Sequence, residues 1–195
     1  MVSRGKWVLG LVAGVCLAAC TSVPLGSLAK LSAVDMGHTP PEQLRVAFIT
    51  PDALKIRPGD MVMKVHLKLA DGSFDSTRNL TLLEDNAAPS GTLTAMAGQG
   101  KAIHIMKLAD DDAKAFAKLQ NVLRESQVLG ARKKGSLEIA FASEACAAAP
   151  LSGPLLVSAS IKTAELADYT MLFSNIDIAA MAKQAGQNPE VKPCA

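Results

Sequence analysis

The sequence predicts an α+β fold in which a mainly antiparallel sheet, built from hairpins, packs one long and one short helix. Apolar and polar residues alternate with a period of two across residues 61–69, and an Asp71-Gly72 pair sits where that run must turn. Apolar residues at helical spacing follow Asp110 and, over a shorter stretch, Asp177. Strand candidates outnumber helix candidates and follow one another directly, which favours antiparallel pairing over a βαβ array.

In chain order, residues 44–50 carry Val46, Phe48, Ile49 and Thr50, side chains that suit a strand, and Pro51 ends the run. Met61, Met63, Val65, Leu67 and Leu69 then alternate with Val62, Lys64, His66 and Lys68, so one face is apolar. Asp71-Gly72 supplies the left-handed conformations of a two-residue turn, and that turn sets a register. Leu69 stands opposite Phe74, Met63 opposite Leu80, Met61 opposite Leu82 and Lys68 opposite Asp75. Apolar residues meet apolar ones and opposite charges meet, with Val65 opposite Arg78 the one poor pair.

A second hairpin is expected from residues 92–97 and 101–108, joined by Gly98-Gln99-Gly100. Asp110 reads as the N-cap of the long helix, with Asp111 and Asp112 in a first turn where negative charge complements the helix dipole. Phe116, Leu119, Val122, Leu123 and Leu129 form its apolar side, and Gly130 ends it. Strands are expected over residues 137–142, 155–163 and 169–173. Ser174 and Asp177 make a capping box ahead of a short helix that carries Ile178 and Met181 and closes at Gly186.

The N-terminus has a different character. Arg4 and Lys6 precede an uncharged apolar run over residues 7–19, which ends in Leu17-Ala18-Ala19-Cys20. At about 1.5 Å per residue such a run reaches only ~20 Å, short of the ~30 Å of a bilayer's hydrocarbon core. This arrangement resembles the precursors of bacterial lipoproteins. Leu17, Ala18 and Ala19 match the cleavage box and Cys20 the acylated thiol, whereas Cys16 follows the branched Val15 and does not fit. The resemblance implies a signal peptide over residues 1–19, processed by the lipoprotein signal peptidase. It also implies a new N-terminal Cys20 whose acyl chains anchor the protein in the cell envelope, facing the periplasm. Thr21 after the cysteine is similar to outer-membrane cargo. Residues 20–43, with Pro24, Gly26, Gly37, Pro40 and Pro41, read as a flexible tether, and residues 44–195 as a single globular domain. That domain resembles uncharacterised proteobacterial envelope lipoproteins in its general layout.

Of the 20 Lys and Arg residues, Arg4 and Lys6 lie in the expected signal, so the rest balance the 18 Asp and Glu. A neutral mature chain has no electrostatic footprint for nucleic acid. After Cys20 is acylated, Cys146 and Cys194 remain as an even pair in an oxidising compartment. A bond between them closes a loop whose entropy is worth about 4 kcal/mol; free buried thiols or a metal pair are the alternatives.

The chemistry-bearing side chains do not assemble into a motif. His38, His66 and His104 lack metal-ligand spacing, and Lys64 and Lys68 beside His66 disfavour a bound cation. Gly98, Gly100 and Lys101 resemble a phosphate loop only faintly, because Ala95 and Ala102 stand where a glycine and a hydroxyl belong. Met61, Met63, Met96, Met106, Met171 and Met181 suit either a core or an adaptable apolar cavity. No cofactor or metal is expected. The reading that follows is a non-catalytic accessory or scaffold subunit of an envelope assembly, held to the membrane through Cys20 and to a protein partner by contact. The alternative is a protein that binds a lipid or other apolar molecule between its sheet and long helix. An envelope hydrolase using His66, Asp75 and Glu84 is a weaker third. Intact-mass analysis of the membrane-extracted protein is expected to give a chain beginning at acylated Cys20, and Cys20→Ser is expected to abolish membrane retention; an unmodified chain would contradict the anchor.

Overall fold

The computed structural model describes residues 27, 30–31, 34–128, 135–186, 188 and 190–194. Cys20 and the expected signal peptide lie outside the described residues, as do Leu129 and Gly130 at the expected end of the long helix. The fold is α+β, with a mainly antiparallel sheet packed by helices of unequal length. The strands are β1 (Arg45–Pro51), β2 (Leu54–Lys55), β3 (Met61–Leu69), β4 (Asp75–Glu84), β5 (Lys101–Leu108), β6 (Gly135–Ser143), β7 (Cys146–Ala147), β8 (Leu156–Lys162) and β9 (Thr170–Asp177). The α-helices are α1 (Gly91–Ala97), α2 (Asp110–Val128) and α3 (Ile178–Gln184), and Pro41–Gln43 forms a 3₁₀ turn. The main sheet has seven strands in the order β6-β3-β4-β5-β1-β8-β9, and β2 pairs with β7 in a separate small ladder.

The sheet is strongly curled. Four strand spacings separate β1 from β6, about 19 Å in a flat sheet, yet the Phe48 and Phe141 rings meet edge to face with centroids 5.3 Å apart. The resulting half-barrel closes on its apolar face. Phe116, Leu119 and Leu123 of α2 fill one end of it against Val46, Met63, Val65, Leu67, Leu80 and Leu82. Phe116 has no solvent exposure. On the outer face, Leu93 of α1 packs with Ala47, Ile105 and Tyr169 in a second, smaller cluster.

The β3–β4 register is the one expected: Met61 pairs with Leu82, Met63 with Leu80, Lys68 with Asp75 and Val65 with Arg78. Its turn differs. Leu69 N–H donates to the Phe74 carbonyl and Gly72 N–H to the Leu69 carbonyl, and Gly72, at φ +72°, is the turn's left-handed residue. The connection therefore spans residues 70–73, and because it is centred on the same point as a two-residue turn it yields the same pairing.

The second hairpin is not formed. Residues 91–97 are helix α1, because Ser90 accepts from Leu93 N–H at its N-terminus and Thr94 Oγ1 donates to the Ser90 carbonyl. The helix puts Leu93 and Ala97, four residues apart, on one buried face. Lys101–Leu108 is a strand as expected, but it pairs with β1 over Lys101–Met106 and with β4 over Met106–Leu108.

Two expected caps also move. Asp110 is the first residue of α2 rather than its cap, since Ala113 N–H donates to the Ala109 carbonyl. Asp112 Oδ2 instead accepts from Thr81 N–H at 2.8 Å, tying α2 to β4. Strand β9 runs on through Ser174 to Asp177, so the capping box gives way to Asp177 alone, which accepts from Ala179 and Ala180 N–H.

Part of the expected tether belongs to the body of the domain. Gln120 Nε2 donates to the carbonyls of Met36 and Thr39 at 2.7 and 2.8 Å, and Arg124 donates to that of Gly37. Thr39 is fully buried and donates to the Glu165 carboxylate. The polar face of α2 thus holds residues 36–39 in place and moves the start of the ordered body ahead of residue 44. Phe116→Ala is expected to lose about 3–5 kcal/mol of stability in urea unfolding, against a few tenths for Lys118→Ala on the exposed side; equal losses would contradict the packing described.

Candidate contact site

Helix α2 fills one end of the half-barrel, and the other end holds an apolar cleft. Its volume is about 260 Å³, and Phe48, Ile56, Met61, Phe141, Val157 and Phe173 form most of its wall. Phe48, Met61 and Val157 point inward from β1, β3 and β8 because each belongs to the face that the curl encloses. Ile178, at the start of α3, stands at the rim and is 37% exposed.

The remaining wall is held by a covalent strap. Cys146 and Cys194 are bonded, with sulfurs 2.06 Å apart. Ala147 N–H donates to the Lys192 carbonyl and Cys194 N–H to the Ala147 carbonyl, so the C-terminal segment lies alongside β7. Leu54 of β2 pairs with Ala147, and Leu54, Ala145 and Val191 are part of the lining, with the hydroxyl residues Thr50 and Ser143 also on it. Beyond Val191 lies a larger open depression of about 620 Å³, bordered by Arg57, Glu144, Glu190 and Lys192. Its charged border sets it apart from the apolar cleft.

The interface between the sheet and α2, where the sequence suggested an apolar ligand, is filled by Phe116, Leu119 and Leu123. The packing of α2 closes one end of the barrel and leaves the cleft at the other. Of the methionines, Met61 lines the cleft, Met63 and Met106 are core, Met96 packs in the outer cluster, and Met181 is 55% exposed.

Of the three polar residues suggested for hydrolysis, His66 and Asp75 are brought together and Glu84 is not. His66 Nε2 lies 2.7 Å from Asp75 Oδ1, and Glu138 lies 3.7 Å from the other ring nitrogen. Glu84 stands near His104 instead, 3.7 Å from its Nδ1. Carboxylates, rather than only Lys64 and Lys68, therefore surround His66, and the Asp75 hydrogen bond raises its pKa. Among the described residues, neither His66 nor His104 is hydrogen-bonded to a hydroxyl or thiol, and no group of three or more His, Cys, Asp or Glu could hold a metal ion. No helix among them is long and apolar enough to cross a membrane. Gly98 and Gly100, both at positive φ, link α1 to β5, so no helix follows Lys101 as a phosphate loop requires.

His104 is a titratable group on the strand next to Phe48 of the cleft wall. It pairs across strands with Phe48, its side chain is 12% exposed, and its Nε2 has no hydrogen-bond partner among the described residues. Burial lowers its pKa, with Glu84 opposing and Lys55 adding to the effect. An unfolded histidine takes up its proton near pH 6.5 while His104 in the fold stays neutral, so stability is lost as pH falls from about 7 toward the lowered folded value. His66 acts in the opposite sense, giving stability below about pH 6.5 that disappears as pH rises through its raised value. His104→Leu is expected to flatten the loss of urea-unfolding stability between about pH 7.5 and 5; an unchanged pH slope would contradict the neutral, buried state. No protein-family model, curated protein or solved structure matches this chain, so the site's own geometry carries the functional reading.

Proposed function

We propose that the protein is a lipid-anchored component of the cell envelope that works by contact, receiving one apolar side chain of a partner protein in the cleft at the open end of its half-barrel. The observation that carries this reading is the size and walling of the cleft. Its volume of about 260 Å³ falls below the ~300–1,000 Å³ typical of small-molecule pockets. Such a space suits a single aromatic or branched side chain, the kind of anchor that dominates protein interfaces. Its walls come from separate strands and are tied by the Cys146–Cys194 bond, so little order must be gained on binding.

The lipobox gives the second half of the proposal. Acyl chains on Cys20 keep the domain beside a bilayer, where a membrane-associated partner meets it at raised local concentration. The outer membrane remains the proposed location, on the strength of Thr21. The partner is a protein rather than nucleic acid, because the mature chain is electrically balanced. Binding of a lipid or another apolar small molecule is less favoured, since the space between sheet and α2 is filled and the cleft is small.

A photoreactive side chain in place of Ile178, in the acylated protein in its own membrane, is expected to capture a discrete protein. Ile56→Glu, which places a carboxylate in the cleft, is expected to reduce that capture at least about tenfold while leaving the fold intact by circular dichroism. Capture of lipid alone, or capture indifferent to Ile56→Glu, would contradict the proposal.

A further inference from the structure

The main sheet ends in two edges of unlike character. At β9 the pairing with β8 shifts register between Val157 and Ala159 and again between Ala159 and Ser160. Asn175 within β9 has a φ of 50°, which breaks the flat outline that another strand needs. Strand β6 has none of these guards. It pairs with β3 in unbroken register from Leu69 opposite Gly135 to Met61 opposite Ser143. Its single charged residue is Glu138, and it contains no Lys, Arg or Pro.

The direction of its free backbone groups follows from one hydrogen bond. Glu144 N–H donates to the Asp60 carbonyl in continuation of the β3–β6 register. Backbone groups alternate sides along a strand, so the even-numbered residues of β6 address β3. Leu137, Ile139 and Phe141 therefore aim N–H and C=O outward, and among the described residues no strand pairs with that edge. Their side chains, on the enclosed face, are only half-buried.

We propose that the protein forms a two-fold dimer in which β6 pairs antiparallel with β6 of a second copy, centred on Ile139. In that register Leu137 stands opposite Phe141, Glu138 opposite Ala140, and Gly135 opposite Ser143, so apolar meets apolar and no like charges oppose. Centring on Glu138 would set two carboxylates against each other, and centring on Ala140 would leave Gly135 and Ser136 without partners. The axis runs perpendicular to the sheet, which keeps both enclosed faces on the same side. Because Phe141 lines the cleft, the two clefts become neighbours. This inference goes beyond the contact function and holds with or without the lipid anchor.

The test is sedimentation velocity of the mature polypeptide carrying Cys20→Ser, over a range from low to high micromolar. A concentration-dependent dimer is expected. Ala140→Glu places a carboxylate opposite Glu138 of the second copy, twice by symmetry, and is expected to raise the dimer dissociation constant about tenfold. Within its own chain that carboxylate faces Lys64, so folding is not impaired. Ala140→Lys is expected to tighten the dimer several-fold through the same pair. Ile139→Pro, which deletes an outward N–H, is expected to give a monomer with unchanged far-ultraviolet circular dichroism. A monomer at every concentration, growth beyond a dimer, or a dimer indifferent to both charges at position 140 would overturn the proposal.

Discussion

Closure of the sheet around the apolar side of α2 is the constraint on which the other features rest. Phe116, Leu119 and Leu123 supply a surface that a flat sheet cannot cover, and the strands curl until β6 and β1 meet through Phe141 and Phe48. Burial of a side chain such as Phe116 is worth roughly 1.5–3 kcal/mol relative to exposure, and it is shared among residues of several strands. The helix fills only part of the trough. The end it leaves open, walled by aromatic residues on β1, β6 and β9, is the cleft.

The polar side of the same helix organises the chain's beginning. Gln120 and Arg124 satisfy carbonyls of Met36, Gly37 and Thr39, so residues that look like spacer in composition become part of the wall around α2. At the opposite end the disulfide does a comparable job. The C-terminal segment has little apolar surface of its own, and the bond to Cys146 with the flanking backbone pairs holds Val191 in the cleft wall. The cleft thus sits on a body that hydrogen bonds fasten at residues 36–39 and a covalent bond fastens at Cys194.

The legible parts of the fold were those with a local signal. The alternation from Met61 to Leu69 and the Asp71-Gly72 pair specify the β3–β4 register, because a slip of one residue would expose every buried side chain. Helix α2 was legible from its apolar spacing, although Asp112 turned out to brace β4. The threonines of α1 and the glycines after it mimic a hairpin in the sequence, whereas the Ser90 hydroxyl tips the segment to helix. The cleft was not legible at all. Phe48, Phe141 and Phe173 lie on separate strands and meet through the curl alone, while β2 and β7, of two residues each, are too short to show a period. Glu84 faces His104 rather than His66 for a related reason: strand positions far apart in sequence are brought together by pairing, not by spacing.

A helix that fills one end of a curled sheet leaves an apolar cleft at the other, and that cleft is the feature on which the proposed contact role rests. The most direct measurement is a methyl-detected magnetic resonance titration of the mature protein with N-acetyl-phenylalaninamide, a blocked single side chain. Shifts confined to the methyl groups of Ile56, Met61, Val157 and Ile178, with those of Leu119 and Leu123 unmoved, are the result the account predicts. Shifts centred on Leu119 and Leu123, or none at saturating probe, would contradict it.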